Sequence, residues 1–164
     1  MRNAGIRRGK AGVAALELAL VAPVFTTLLV GVADFSLAYH QQLQLSAAVS
    51  AGALYAFTQG QSVSGSTLTT DVKNFVNAVS AVSLTAVTVK YNNGLVAASC
   101  YCVHGATPTY SGALACGAAC VDGSGSTAGK FVSISAVITY TAKFPPDQAF
   151  FPNPFTRSVT VRLQ

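Results

Sequence analysis

The sequence has little charge. Only 9 % of its 164 residues are charged and 51 % are apolar, whereas charged residues make up roughly 25 % of an ordinary soluble domain. This composition is low in charge for a free soluble protein and suits a membrane-tethered one. The net charge of +5 does not indicate nucleic-acid binding, because four of the ten basic residues lie within the first ten positions and the remaining chain is nearly neutral.

Acids and histidines are too few to suggest catalysis. Beyond residue 58 the acids are Asp71, Asp122 and Asp147, and the single histidine is His104. No two of these acids share a recognisable motif, and the glycine–serine run at 123–126 lacks the helix start and lysine of a phosphate loop. We therefore predict that the protein is not an enzyme. We expect no catalytic residue, no cofactor, no small-molecule substrate and no nucleic-acid partner.

A long stretch near the N-terminus lacks charge altogether. No charged residue occurs from Leu18 to Ala33, and back to Val13 the only one is Glu17. About 20 apolar residues at a rise of 1.5 Å span the hydrocarbon core of a bilayer. A basic cluster precedes this stretch, and no Lys or Arg follows it until after Asp71. The positive-inside rule therefore predicts a cytoplasmic N-terminus and an exported remainder.

Three interpretations of this stretch are open. In the first, the stretch is a secretory signal peptide that is cut before Asp34, after the small residues of 31–33. In the second, it is an ordinary membrane anchor, which leaves Glu17 unexplained although an ionisable residue in a bilayer is costly. In the third, it is a prepilin-type signal cleaved between Gly12 and Val13, in which the apolar helix is kept and Glu17 is the fifth residue of the mature chain. We favour the third interpretation.

The residues behind the third interpretation also carry a family resemblance. The stretch GVAALELALVAP, residues 12–23, resembles the N-terminal signature of TadE-like proteins. These are pseudopilins, or minor pilins, of the Tad (tight adherence, Flp-type) pilus. The resemblance continues through residues 31–35 and on to Tyr55-Ala56, so that it covers about the first third of the chain.

The resemblance implies a location and partners. A prepilin peptidase would cut after Gly12, and the free amine of Val13, from the same or a neighbouring subunit, would neutralise Glu17. The protein would be a single-pass inner-membrane protein with a cytoplasmic N-terminus and a periplasmic or extracellular C-terminal domain, possible entry into the pilus being left open. Its partners would be membrane lipid, the peptidase, other pilins or pseudopilins and the Tad secretion machinery.

The pattern along the chain predicts five segments. They are a leader without regular structure at 1–12, a transmembrane helix at 13–35 that is kinked at Pro23, a helical stalk at 36–58, a linker at 59–70 and an exported domain at 71–164. Along the stalk, an apolar stripe recurs at helical spacing and packs either on the chain's own domain or on another subunit; its members are Tyr39, Leu43, Ala47, Ala51 and Leu54.

The exported domain is predicted to be α+β. A short helix starts at Thr70-Asp71, and strands at 87–91 and 95–102 form a hairpin about Asn92-Asn93-Gly94, a strong turn signal. Further strands are predicted at 132–144 and 158–163. The fold class is therefore a long N-terminal transmembrane and stalk helix plus a small antiparallel sheet packed on helix, as in pilins.

Four cysteines lie in or beside the predicted loop at 100–130. An even number of cysteines in an exported segment indicates two disulfides among Cys100, Cys102, Cys116 and Cys120. A Cys100–Cys102 bond would close a very small ring, so we expect a nested or a crossed pairing to the other two. A zinc site with His104 is the alternative, but the cysteine spacing departs from that of usual zinc knuckles, and we predict no metal.

A second function class is a membrane-anchored or secreted binding module, such as an adhesin. Phe150, Phe151 and Phe155 lie in or next to a proline-rich segment, residues 145–154, and would contact a ligand in that case. Ordinary packing of these aromatic side chains is the interpretation we favour.

Overall fold

The chain divides into two compact units. A computed structural model describes residues 9–60, 62, 65–104, 109–121, 125–143 and 153–163, with side chains from residue 12. One unit comprises Met1–Tyr39 with Thr141–Phe151, and the other comprises His40–Tyr140 with Pro152–Gln164. The elements, in chain order, are α1 (Gly9–Gln59), α2 (Gly65–Val79), β1 (Ala86–Tyr91), β2 (Cys100–His104), β3 (Thr109–Leu114), β4 (Phe131–Ile138) and β5 (Phe155–Arg162). This order confirms the predicted α+β class, a long N-terminal helix with antiparallel sheets.

Helix α1 is continuous from Gly9 to Gln59. The predicted continuation of the helix beyond residue 35 is therefore confirmed, whereas residues 9–12 are helical and not irregular as predicted for the end of the leader. Pro23 lies inside the helix, where it removes one backbone donor. The Thr26 and Thr27 hydroxyls donate to the Pro23 carbonyl at 2.9 and 3.1 Å. The kink at Pro23 stays a prediction.

The second part of α1 packs on α2 and β4 at Gly52. A Cβ at this position would collide with the Val76 side chain and come within 3.6 Å of the Ile134 side chain. Close by, the Tyr55 ring stacks on the Phe75 ring with centroids 4.5 Å apart. The absent side chain of Gly52 therefore lets the helix approach its neighbours closely.

The buried face of α1 is not the predicted stripe. From residue 41 onward, the buried residues of α1 are Leu45, Ala48, Val49, Gly52 and Ala56. The stripe residues Leu43, Ala47 and Leu54 are exposed. Packing of the whole stripe on the chain's own domain, one of two alternatives, is therefore excluded. Spacing alone could not select the face, because this helix is apolar on several sides.

Helix α2 begins at Gly65, about one turn before the predicted start at Thr70. The second half of the predicted linker, residues 65–70, is therefore helical. The buried series Leu68, Val72 and Val76 begins inside that segment, and burial of such a series outweighs the weak helix propensity of the surrounding serines and threonines.

A three-stranded antiparallel sheet has the order β1-β4-β5. Its central strand β4 places Val132, Ile134, Ala136 and Ile138 on a buried face, which matches the alternation seen in the sequence. The register aligns Val87 with Ala136 and Ile138 with Phe155. Strand β4 ends at Ile138, earlier than predicted, and strand β5 begins at Phe155, earlier than the predicted residue 158.

The predicted hairpin between residues 87–91 and 95–102 is wrong. Strand β1 pairs with β4, and residues 95–99 are not a strand. A turn does form at Asn92-Asn93-Gly94, where all three residues have positive φ values of 46°, 55° and 85°. It redirects the chain without pairing the two flanking segments.

The Asn92 side chain explains this redirection. It is fully buried, its oxygen accepts the Phe131 N–H at 2.9 Å, and its amide nitrogen donates to the carbonyls of Ser99 at 2.9 Å and Val96 at 3.3 Å. A buried amide with all these partners is stabilising, whereas an unpaired one is costly. The loop after β1 is therefore held against the start of β4.

The remaining two strands, β2 and β3, form a second antiparallel sheet. Strand β3 was not predicted. The Tyr110 ring on β3 makes edge contacts with the rings of Tyr101 and Phe131, with centroids 6.4 and 6.0 Å apart. Burial raises the pKa of the Tyr110 hydroxyl, and the nearby Thr160 side chain lowers this pKa by a smaller amount. The two groups do not form a hydrogen bond of good geometry. These ring contacts join the hairpin to the larger sheet.

We expect Gly52→Ala to destabilise the domain by about 1–3 kcal/mol, because the added methyl group overpacks the contact with Val76. Alanine is otherwise favoured over glycine inside a helix by about 0.5–1 kcal/mol. The measurement is thermal unfolding of the full chain in detergent, followed by near-ultraviolet circular dichroism of the tyrosines. Gly31→Ala is the control, since a Cβ there meets nothing within 4 Å. A Gly52→Ala protein as stable as the wild type would contradict close packing at this position.

Candidate functional site: an apolar helix and a disulfide-linked loop

The first part of α1 presents apolar side chains outward. Leu16, Leu20 and Phe25 expose 66 %, 70 % and 61 % of their surfaces, and the apolar stretch is not buried within the described protein. Among the described residues, one helix, which includes this stretch, is long and apolar enough to cross a membrane. An exposed apolar surface of this extent requires lipid or another helix to cover it.

The predicted site residues Gly12, Val13 and Glu17 lie at the beginning of this helix. A Cβ at Gly12 would meet nothing within 4 Å, so the helix is not packed there. Val13 and Glu17 are both exposed. They are four positions apart and therefore lie on the same face of the helix, one turn from each other. Glu17 is the only charged residue between Val13 and Ala33.

Asp34 is a second carboxylate on α1, and sequence reasoning assigned it no role. Its side chain is fully buried and accepts the backbone N–H of Lys143 at 3.1 Å. A buried carboxylate requires partners of this kind. The signal in the sequence is a single acid directly after the apolar stretch, and nothing in the local pattern points to a partner more than 100 residues away.

Residues 12–54 match the family model of the TadE-like proteins. This segment is TadE-like. The resemblance expected over the first third of the chain is thereby confirmed for this segment. The TadE-like segment contains Gly12, Val13, Glu17 and Asp34 and ends before α2, so it does not extend to the cysteines. No curated protein and no solved structure is similar enough to the chain to count as a match.

Two disulfides cross-link the loop after β3 to β2. They join Cys100 to Cys116 and Cys102 to Cys120, with Cα atoms 5.0 and 5.9 Å apart. Of the two pairings left open by the sequence, the structure has the crossed one. Because the four sulfurs are bonded in two pairs, the cysteines act as cross-links and not as the thiolate ligands of the zinc alternative.

The cross-linked loop is also held by the backbone. The Gly117 N–H donates to the Ala128 carbonyl at 2.9 Å, and the Ala128 N–H donates to the Ala118 carbonyl at 2.8 Å. Cys100, Cys102 and Cys120 are buried together with Ala128. The disulfides therefore form a small core of their own in a segment with few large apolar side chains.

His104 hydrogen-bonds across the β2–β3 hairpin. Its Nε2 atom lies 2.8 Å from the Ser111 Oγ atom. Asp122, one of the acids counted in the sequence, lies outside the described residues. Within the described ranges, no three His, Cys, Asp or Glu side chains are grouped closely enough to hold a metal ion.

Of the three phenylalanines considered for ligand binding, Phe155 is buried and packs near Tyr140, with ring centroids 6.1 Å apart. It serves packing, as we favoured. Phe150 and Phe151 lie outside the described residues. The Asn153 side chain also contacts Tyr140, donating to its carbonyl at 2.8 Å.

We expect disulfide mapping to recover the crossed pairing. Pepsin digestion at acidic pH prevents thiol exchange, and cleavage after Tyr101 separates Cys100 from Cys102. Cys116 and Cys120 remain on one peptide, so backbone fragmentation of the linked peptides between these two cysteines by tandem mass spectrometry should show Cys100 joined to Cys116 and Cys102 joined to Cys120. Each link closes a loop of 16 or 18 residues, worth about 3 kcal/mol in the chain-entropy account. A Cys100–Cys120 peptide would refute the crossed arrangement.

Proposed function

We propose that this protein is a membrane-anchored pseudopilin, or minor pilin, that takes part in assembly of a Tad (Flp-type) pilus and has no enzymatic activity. The observation that supports this most is that the TadE-like match at residues 12–54 falls on the one described helix that is both apolar and exposed. In this proposal the helix crosses the inner membrane once, with its N-terminus in the cytoplasm and the disulfide-linked domain outside. The membrane lipid, the other pilins and the secretion machinery are its partners.

Processing by a prepilin peptidase is the first step we propose. The peptidase cuts the bond between Gly12 and Val13 and removes the basic leader. Two features of Gly12 support this. It lacks packing neighbours, and glycine lowers helix stability by about 0.5–1 kcal/mol relative to alanine. The chain can therefore unwind locally to enter an active site.

Glu17 has the second role we propose. After cleavage the new ammonium of Val13 lies one helical turn from the Glu17 carboxylate, and the same carboxylate is exposed to a neighbouring subunit. An ion pair in low dielectric contributes register more than net stability, because desolvation offsets much of the attraction. Glu17 would thus select the correct axial position of one subunit against the next.

The exposed stripe on the stalk is the third element. Leu43, Ala47 and Leu54 face outward, and no charged residue occurs from Phe35 to Thr70. A partner helix could therefore pack here without desolvating a charge. We propose that this stripe contacts another subunit in the assembly.

The N-terminal residue of the mature protein tests the processing step. We expect intact-mass analysis of protein purified from its native host to find Val13 at the N-terminus. Asp34 at the N-terminus would indicate a secretory signal peptide, and Met1 an unprocessed anchor. Either of these two results would overturn the pseudopilin proposal, while a Gly12→Leu variant that is no longer shortened would support it.

Replacing Glu17 tests assembly. We expect Glu17→Ala to insert in the membrane at wild-type levels but to lower the yield of sheared pili at least about tenfold, because the Val13 ammonium is left without a partner. Glu17→Asp keeps the charge and is the matched control, with a smaller loss expected. Wild-type pilus yield from Glu17→Ala would remove the proposed role of this carboxylate.

A further inference from the structure

A cleft in the exported domain is lined neither by the apolar stretch of α1 nor by the disulfide-linked loop. Its volume is about 290 Å³, and it lies between the first turn of α2, the end of β1 and the loop that follows β1. Gly65 and Ser66 line it from α2, and Lys90 and Tyr91 line it from β1. The proposals about α1 and the pilus do not involve this cleft.

The first turn of α2 leaves backbone donors unsatisfied. The first N–H groups of any helix lack an acceptor within the helix, and a side chain at the helix start usually supplies one. The first described residue of this helix is Gly65, which has φ +63° and no side chain that could accept a hydrogen bond. The described residues supply no acceptor for the N–H groups of Ser66 and Thr67. The helix end therefore carries a partial positive charge at the wall of the cleft.

Tyr91 is a second, independent observation. Its side chain exposes only 6 % of its surface, and its hydroxyl has no hydrogen-bond partner among the described residues. The Tyr91 hydroxyl is not completely buried, so part of its surface remains open to solvent. Alternation along β1 places Tyr91 on the same face as Val89, which also lines the cleft. Tyr91 is itself one of the residues that line the cleft.

The electrostatics of the cleft favour an anion. Burial raises the pKa of the Tyr91 hydroxyl, so the group stays protonated and can donate a hydrogen bond at neutral pH. The lining includes Lys90, and none of the lining residues is an acid. Lys90 is exposed at the edge strand of the sheet and adds a positive charge at the rim.

We propose that this cleft binds an oxyanion, a phosphate or carboxylate group, whose oxygens accept hydrogen bonds from the first-turn N–H groups of α2 and from the Tyr91 hydroxyl. Lys90 attracts the anion from the rim without being required for its orientation. The volume of the cleft limits the ligand to a small anion or to the terminal group of a larger molecule, since binding sites for whole drug-sized molecules begin near this size.

The experiment is a titration of the full chain, labelled with ¹⁵N in an uncharged maltoside detergent, with sodium phosphate at constant ionic strength. We expect saturable shifts of the Ser66, Thr67 and Leu68 amide signals. Tyr91→Phe removes only the hydroxyl and should raise the apparent Kd about tenfold, the effect of one lost hydrogen bond to a charged group. Lys73→Gln removes an exposed charge on α2 away from the cleft lining and should leave the Kd within about twofold of wild type.

Two results would overturn the proposal. One is the absence of a saturable shift at the first turn of α2. The other is an equal Kd for Tyr91→Phe and wild type, in a variant whose thermal unfolding shows that it is folded. A Kd raised about tenfold in Tyr91→Phe, together with a nearly unchanged Kd in Lys73→Gln, supports it.

Further arms of the titration identify the source of the anion. Acetate in place of phosphate tests carboxylate binding, and detergent micelles doped with phosphatidylglycerol test a lipid headgroup. Shifts of the same amides by the doped micelles, reversed by inorganic phosphate, would assign the site to lipid. Shifts by the soluble anions alone would assign it to a soluble ligand. Because none of these readouts depends on pilus yield or on cleavage after Gly12, failure here leaves the pseudopilin proposal intact.

Discussion

A single helix with two kinds of surroundings is the constraint on which the structure depends. As far as Ala33, the apolar side chains of α1 are mostly exposed, whereas from Leu45 to Ala56 one of its faces is buried in the domain. Both parts of the helix have almost no charged residues, so placing them in lipid or in a protein core requires little desolvation of charge. Gly52 makes the second environment possible, because a Cβ there would overlap with Val76 on α2. A residue that weakens an isolated helix thus strengthens its packing in the folded domain.

Polar side chains that bond to the backbone hold irregular segments in both units. Asn92 pairs with the backbone of Phe131, and Asn153 pairs with that of Tyr140. Within the other unit, Asp34 accepts the Lys143 N–H. In each case a side-chain amide or carboxylate satisfies backbone groups that no strand neighbour satisfies, which a buried chain requires. The contacts at Tyr140 and Lys143 explain why β4 ends at Ile138, earlier than its sequence pattern suggests.

The disulfide-linked loop solves a different problem, that of a segment with little apolar content. Glycine, alanine and serine dominate residues 111–129, and such side chains bury too little surface to order a loop. Two crossed links and the buried sulfurs themselves supply the missing constraint, and disulfides of this kind persist in an oxidising compartment. The two disulfides agree with the export of this domain, which is predicted from the basic residues that precede the apolar stretch.

The sequence by itself determined the features that depend on local order. These are the apolar helix with its single acid at Glu17, its continuation past residue 35, the TadE-like pattern, and the alternation of β4, since each is written in residue spacing along one element. Tertiary structure alone decided the partner of β1, the face of α1 that is buried, the crossed disulfides and the burial of Asp34. Each of these joins residues far apart in the chain, and local spacing carries no information about which distant group will supply the contact. The turn at Asn92 shows both sides of this division, because its positive φ values follow from the residue types while its direction follows from a hydrogen bond to Phe131.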